Sequence, residues 1–299
     1  MSFLHSQYVA VVALLVAVLL WSSSFIALKI AMAVYDPTFV IFGRMMLASL
    51  CFLFFIPNFK KQPIRKGDLK LLVFMAFCEP CMYFVFESQA LTMTSASQAG
   101  MICATLPLLM AVAARFILNE RLSRKTLAGF TLAVCGGIWL SLSSESTESA
   151  PNPALGNFLE FLAMCCAVGY MTVLKKMTAH YSTLFLTAFQ AFMGAIFYLP
   201  LLALPSTNIP TVFDPLAAGS IVYLGICITI GAYGLYNFGM SKLPANQTTA
   251  YVNLIPVFTL FLGWLILGET FTSMQFIAAA LVMGGVILSQ DKKSGKAKS

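Results

Sequence analysis

Charge is scarce in this chain. Asp, Glu, Lys and Arg make up 10% of its 299 residues, against 60% hydrophobic residues, and mean hydropathy is +0.87. No polar run is long enough to fold as a soluble domain, which excludes the purely soluble enzyme classes. Histidine is nearly absent: His5 and His180 are terminal or loop residues. The chain lacks a Gly-rich phosphate loop, a zinc motif and a Ser/His/Asp set. Neither an enzyme nor ATP-driven chemistry is expected from it, and no cofactor or metal. The eight cysteines (51, 78, 81, 103, 135, 165, 166, 227) all fall inside hydrophobic stretches. They read as small apolar packing residues, not as a disulfide framework. Cys78-Glu79-Pro80-Cys81 puts two thiols and a carboxylate in one turn. A soft metal wants more ligands than that, and packing at a proline kink is the better reading.

What the chain has is apolar length. A membrane-spanning helix needs about 20 apolar residues. Ten stretches meet that need, at about 8–30, 38–57, 69–91, 97–117, 123–143, 156–177, 182–204, 216–240, 245–267 and 272–290. The first begins near Tyr8 with no Lys or Arg before it and no small-residue cleavage site after it. It reads as a retained helix, not a removable signal peptide. Ser143–Asn157 is rich in Ser, Glu and Pro and reads as a linker. The expected organisation is a first unit over 1–143, an outer linker over 144–155, a second unit over 156–290 and a basic tail over 291–299.

The net charge of +7 is distributed unevenly. With the N-terminus inside, the inner loops carry Lys60, Lys61, Arg65, Lys66 and Lys70, then Arg115, Arg121, Arg124 and Lys125, then Lys175, Lys176 and Lys242, then the tail lysines. The outer loops carry Asp36, Glu145, Glu148, Asp214 and Glu269. This is the positive-inside pattern, and it predicts a multi-pass protein of a bacterial inner membrane with both termini cytoplasmic. The tail can touch anionic lipid headgroups. Nucleic acid is not an expected partner.

The sequence also repeats itself. Gln98, Pro107, Glu120 and Gly136 recur as Gln247, Pro256, Glu269 and Gly285, each pair 149 residues apart. Five spans per copy is an odd number, so the copies enter the membrane in opposite directions. The expected fold is therefore all-α integral membrane, with ten transmembrane helices as two inverted-topology five-helix repeats. Such duplication is the usual build of a secondary transporter, in which one copy rocks against the other around a midplane site.

The residues that carry the repeat also carry a resemblance. Ala96-Ser97-Gln98-Ala99, Pro107, Glu120-Arg121-Leu122, Gly129 and Gly136-Gly137 form one set. Ala245-Asn246-Gln247-Thr248, Pro256, Gly268-Glu269-Thr270, Gln275 and Gly284-Gly285-Val286 form the other, with Pro37 and Arg44 in the second stretch. The chain resembles the drug/metabolite transporter superfamily, EamA-type, with two EamA repeats. The resemblance implies a central cavity, a small-molecule substrate, and export as the commonest role.

Several side chains are candidates for that cavity. Glu79, Tyr83 and Glu87 are spaced i, i+4, i+8 on one helix face. Glu79 lies near the bilayer centre, where an ionised carboxylate costs on the order of 3 kcal/mol or more. It must be protonated, paired or facing water. We expect it to be the coupling or substrate-binding acid, with protons as the coupling partner. Glu87 lies nearer the outer surface and is equally well explained as a solvated mouth residue. Arg44 suits a substrate carboxylate, but snorkelling or pairing with an acid is the simpler expectation. Lys29 reads as a snorkelling anchor, and Glu160 as a partner for either base. Trp21 and Phe25 flank Ser22-Ser23-Ser24, which serve either a cavity wall or helix packing. Tyr170, Tyr233, Tyr236, Asn237 and Asn253 complete a polar, aromatic lining, with Gln190, Gln98, Asn246 and Gln247 at its margin. Pro107 and Pro256 occupy matching helix midpoints as kinks or hinges. The paired glycines Gly136-Gly137 and Gly284-Gly285 read as packing, and also offer a face for a homodimer. The expected function is proton-coupled export of an amino-acid-like or drug-like amphipathic compound. The alternatives are an importer of a small metabolite or vitamin on the same fold, and a gradient-independent pore.

Overall fold

The computed structural model describes residues 2–55, 64–117, 124–244, 248 and 250–289, with 2–6, 114–117, 126, 286 and 289 described by backbone alone. Leu118-Asn119-Glu120, Arg121, Ala245-Asn246-Gln247, Lys60, Lys61 and the tail lysines lie outside the described residues, as does the side chain of Arg115. Among the described residues the chain is helical, with one isolated bridge between Thr147 and Ala150 in the expected linker.

Among the described residues six helices are long and apolar enough to cross a membrane: α1 (Gln7–Met32), α3 (Asp68–Met93), α4 (Ala96–Ala113), α6 (Pro153–Met177), α7 (Thr183–Leu201) and α8 (Pro215–Lys242). Four shorter apolar helices accompany them: α2 (Pro37–Leu53), α5 (Leu127–Leu142), α9 (Tyr251–Leu267) and α10 (Ser273–Gly285). Their starts follow local chemistry. Asp36, Asn152 and Asp214 each cap a helix whose first residue is a proline, accepting from Thr38 N, Leu155 N and Ala217 N. The cap supplies an acceptor to a free N–H, and proline has none to leave unpaired.

Four of the helices are not regular α-helix from end to end. In α3 the α-helical turns stop at Ala76 and resume at Tyr83, and Glu79 between them takes φ −148°, ψ 116°. Pro80 has no N–H to carry the ladder through. In α8 the matching segment, Leu224–Ala232, widens to i→i+5 turns, a form common at functional sites. In α4 the first segment ends at Cys103 and the second starts at Leu106, with Pro107 in its first turn. In α9 a tight turn over Tyr251–Leu254 precedes a helix from Ile255, with Pro256 in its first turn. The two prolines thus start second segments instead of kinking single helices.

The packing pattern survives exchange of the two halves. α2 packs on α7, α4 on α9 and α5 on α10, while α1 packs on α8 and α9 as α6 packs on α3 and α4. The surface is apolar over Leu19, Phe77, Ile196, Leu216 and many similar side chains, far more than a water-soluble monomer leaves uncovered. Trp139 and Trp264 are exposed on it. The chain is a multi-pass membrane protein.

The glycines settle one packing question. A Cβ on Gly136 would lie 2.8 Å from Val282 N, and one on Gly285 would lie 2.5 Å from Gly129 O. Both therefore allow α5 and α10 to touch backbone to backbone within one chain, so these two are not free to form a homodimer face. Gly285→Leu is expected to cost about 3 kcal/mol or more, since nearby backbone cannot yield as a side chain would. Thermal unfolding in detergent checks it; an unchanged midpoint would mean the α5–α10 contact is looser than this.

Candidate functional site

One small cavity lies where the halves meet, and its lining repeats with the sequence. Glu79 matches Ile228 in the repeat, Phe84 matches Tyr233, Cys103 matches Val252 and Leu106 matches Ile255, each pair 149 residues apart and all lining it. In the first helix of each half, Trp21 and Ala167, and Phe25 and Met171, are 146 apart and also line it. The matched positions differ in chemistry. The cavity's charged groups, Arg44, Glu79 and Glu87, all come from the first half, while the second contributes aromatic and apolar groups.

The cavity volume is about 40 Å³. A water needs about 10–15 Å³ on this measure, so the cavity has room for a few waters. Contacts between the halves tie both ends. At one, Asp68 Oδ2 meets His180 Nδ1 at 3.2 Å and accepts from Tyr181 Oη at 3.0 Å. At the other, Asp214 N donates to Tyr35 Oη at 2.8 Å and Asn208 N to Asp36 Oδ2 at 3.1 Å.

Within the cavity each charged group is half satisfied. Glu79 Oε1 accepts from Tyr233 Oη at 2.5 Å, and its backbone carbonyl accepts from Gln190 Nε2 at 3.1 Å. Glu87 Oε1 accepts from Tyr83 Oη at 2.8 Å. The second oxygen of each carboxyl is buried without a partner. The extended backbone at Glu79 interrupts the helix where its carbonyl accepts this side-chain donor. Arg44 donates through Nε to Thr229 Oγ1 at 3.2 Å and lies over the Phe84 ring, 4.3 Å from its centroid. Its Nη2 has no partner, and among the described residues it forms no ion pair.

Arg44 therefore corrects the simpler expectation. It is 1% exposed, so it does not snorkel outward, and it is not clamped by an acid. The face of α2 that carries it is covered by α7 and α8, so the guanidinium has nowhere to go but inward. Glu87 is also buried, at 3% exposed, and not a solvated mouth residue. Glu160 does not pair with either base: its Oε1 accepts from Cys103 Sγ at 3.5 Å. Lys29 donates to Ser149 O.

The aromatic candidates fall into two layers. Trp21, Tyr83 and Tyr233 line the cavity. Tyr236 stands behind Trp21, ring centroids 4.6 Å apart, and Tyr170 behind Tyr233 at 6.5 Å. Tyr170 Oη donates to Asn237 Oδ1 at 2.8 Å, and Asn237 Nδ2 to Thr187 Oγ1 at 2.9 Å. That network fixes the wall without facing the cavity. The serines after Trp21 mostly satisfy local groups: Ser22 donates to Val18 O and Ser24 to Trp21 O.

Two expected lining residues are elsewhere. Asn253 lies beside lining residues Val252 and Ile255, because the tight turn rotates it off the cavity. Gln98 is held in a polar cluster with Thr94 and Asn157. Reading the sequence missed Phe84, Cys103, Leu106 and Met164 as lining residues. The 149-residue offset would have suggested three of them, since each has a matched partner on the wall. It also missed the role of Glu269, whose carboxylate accepts from Ala96 N and Ser97 N at 2.8 and 3.1 Å. The end of α9 thereby caps the start of α4 in the other half.

Comparison with known proteins places this architecture. The model of the EamA-like transporter family matches residues 8–142 and 154–290. The transporter YetK of Bacillus subtilis (strain 168) is 28% identical, over 96% of this chain and 88% of that one. A probable terminal-alkyne amino-acid exporter of Streptantibioticus cattleyicolor is 24% identical, over 96% and 95%. An S-adenosylmethionine/S-adenosylhomocysteine transporter of Chlamydia muridarum is 26% identical, over 94% and 92%. With two matched segments that together span most of its length, the chain belongs to the EamA-like transporter family.

Proposed function

We propose that this chain is a proton-coupled secondary exporter of a small zwitterionic metabolite, working by alternating access in a bacterial inner membrane. All ten helices cross, as two inverted five-helix repeats joined by the linker 144–155, with both termini cytoplasmic. Glu79 is the coupling acid, and Arg44, Glu87, Trp21, Tyr83 and Tyr233 hold the substrate.

One observation carries this: a guanidinium and two carboxyls, each with an unpartnered buried atom, face a single cavity between the halves. Leaving such groups unpaired costs about 1–3 kcal/mol each or more, so a site that keeps three is built to receive opposite charges. An α-amino acid head brings an ammonium for a carboxyl and a carboxylate for the guanidinium. The cavity's aromatic and apolar walls suit an apolar side chain. The cargo named for two relatives, an amino acid and S-adenosylmethionine, has this same head group. The small cavity, with contacts between the halves near both ends of the helices, suits a state between inward-open and outward-open forms. A proton serves where the ammonium does, because the two compete for one carboxyl oxygen.

Untargeted mass spectrometry of the medium tests it, comparing cells that overproduce wild type with cells that overproduce nothing. An amino-acid-like compound enriched outside supports export. Depletion from the medium would turn the reading to import. Flux that ignores the proton gradient would turn it to a facilitator.

A further inference from the structure

One ionisable group of the membrane interior has no part in the site described above. Glu160 on α6 is fully buried, and its Oε2 has no partner. Its Oε1 accepts only the weak thiol of Cys103, at 3.5 Å. No cation pairs with it among the described residues. A lone carboxylate in such a place costs several kcal/mol, and without a cation the group must carry a proton for much of its time.

Its neighbours make this more than a structural acid. Cys103 is itself part of the cavity wall. Glu87 and Tyr83 of α3 line the same cavity as Cys103, the side chain bonded to Glu160. From α5 and α8, which also pack on α6, no titratable group reaches it. Glu160 is seven residues inside α6 and Glu87 six residues from the end of α3. At 1.5 Å per residue both are about 10 Å from helix ends on the same side. One turn further out, Asn157 Nδ2 donates to Gln98 Oε1 and to Ser141 Oγ, both at 3.0 Å, and Thr94 Oγ1 donates to Asn157 Oδ1 at 2.8 Å. This polar cluster lies on the α6 turn between Glu160 and the helix end that carries the Asn152 cap.

We propose that Glu160 is a second proton-binding site, served from the Asn157 end of α6 and trading charge with Glu87. Two carboxyls this close resist ionising together. When a substrate ammonium draws Glu87 into its ionised form, the proton that leaves Glu87 is taken up by an ionised Glu160. When Glu87 takes a proton back, Glu160 is free to release its own through the Asn157 cluster. One O–H bond breaks as another forms, and the pair holds a single negative charge at most. The inference rests on the transport reading only for what the proton is used for, not for where it binds.

Infrared difference spectroscopy of the purified, lipid-reconstituted protein tests this with the proton as the only ligand. In a pH step, wild type and Glu79→Gln are expected to share one protonated-carboxyl component, and Glu160→Gln is expected to lack that component. Asn157→Leu is expected to keep the band but slow its hydrogen–deuterium exchange about tenfold, the effect of roughly 1.4 kcal/mol on the barrier. If Glu160→Gln does not fold, Cys103→Ser serves instead: a stronger donor on Oε1 must shift the same band. A band unchanged by Glu160→Gln, or by Cys103→Ser in its place, would overturn the proposal, as would exchange indifferent to Asn157→Leu. An absent exported compound would sink the transport reading and leave this band untouched.

Discussion

Glu79→Gln is expected to abolish gradient-driven efflux while leaving the protein folded. The amide has nearly the shape of the carboxyl, and its oxygen still accepts from Tyr233 Oη, the partner of Glu79 Oε1. What is lost is the exchangeable proton, and with it the charged form that would hold an ammonium. A hydrogen bond to a charged group is worth about 1.5–3 kcal/mol, so affinity should fall about tenfold to 150-fold. The coupled flux should fall further, because Gln has no proton to exchange. Tyr233→Phe removes one donor and no charge, and its effect should be several times smaller. Flux into inverted membrane vesicles with and without a pH gradient measures both. Full, gradient-dependent efflux by Glu79→Gln would move Glu79 from mechanism to structure, and would point to Glu87 as the acid.

Depth in the membrane was legible in the sequence; direction around the helix was not. Apolar length located every long helix, and several positions 149 residues apart, such as Cys103 and Val252 or Leu106 and Ile255, line the same cavity. A helix in lipid is apolar nearly all round, so it has little amphipathic signal to say which face is covered. Arg44 was therefore expected outside or paired, and only the packing of α2 on α7 and α8 reveals that it points inward. Asn253 failed for a related reason. A helical register was assumed for it, and the tight turn Tyr251–Leu254 rotates it away. The i, i+4 spacing of Tyr83 and Glu87 held, because that segment is regular helix and the two are hydrogen-bonded. Glu269 was invisible as a cap because its partners, Ala96 and Ser97, are in the other half of the chain.

Arg44 separates charge from shape, and two substitutions should divide its roles. Arg44→Ala leaves Glu79 and Glu87 with no cation in the cavity, and empties the space over Phe84. Losing the bond to Thr229 and the contact with Phe84 costs about 1–3 kcal/mol, so this variant should lose stability as well as transport. Arg44→Lys keeps the charge and part of the stem, and should recover most of the stability. It does not keep the planar fork. Nε would no longer be there to hold Thr229 at 3.2 Å while Nη2 meets a ligand. A carboxylate bound by that fork should be lost from Arg44→Lys even where folding is restored. The measurement is competition for efflux between an amino acid and the amine formed by removing its carboxyl. Wild type should prefer the amino acid, and Arg44→Lys should prefer neither. If the lysine variant still discriminates, the guanidinium serves to balance Glu79 and Glu87 electrically, and the substrate's carboxylate, if it has one, is held elsewhere.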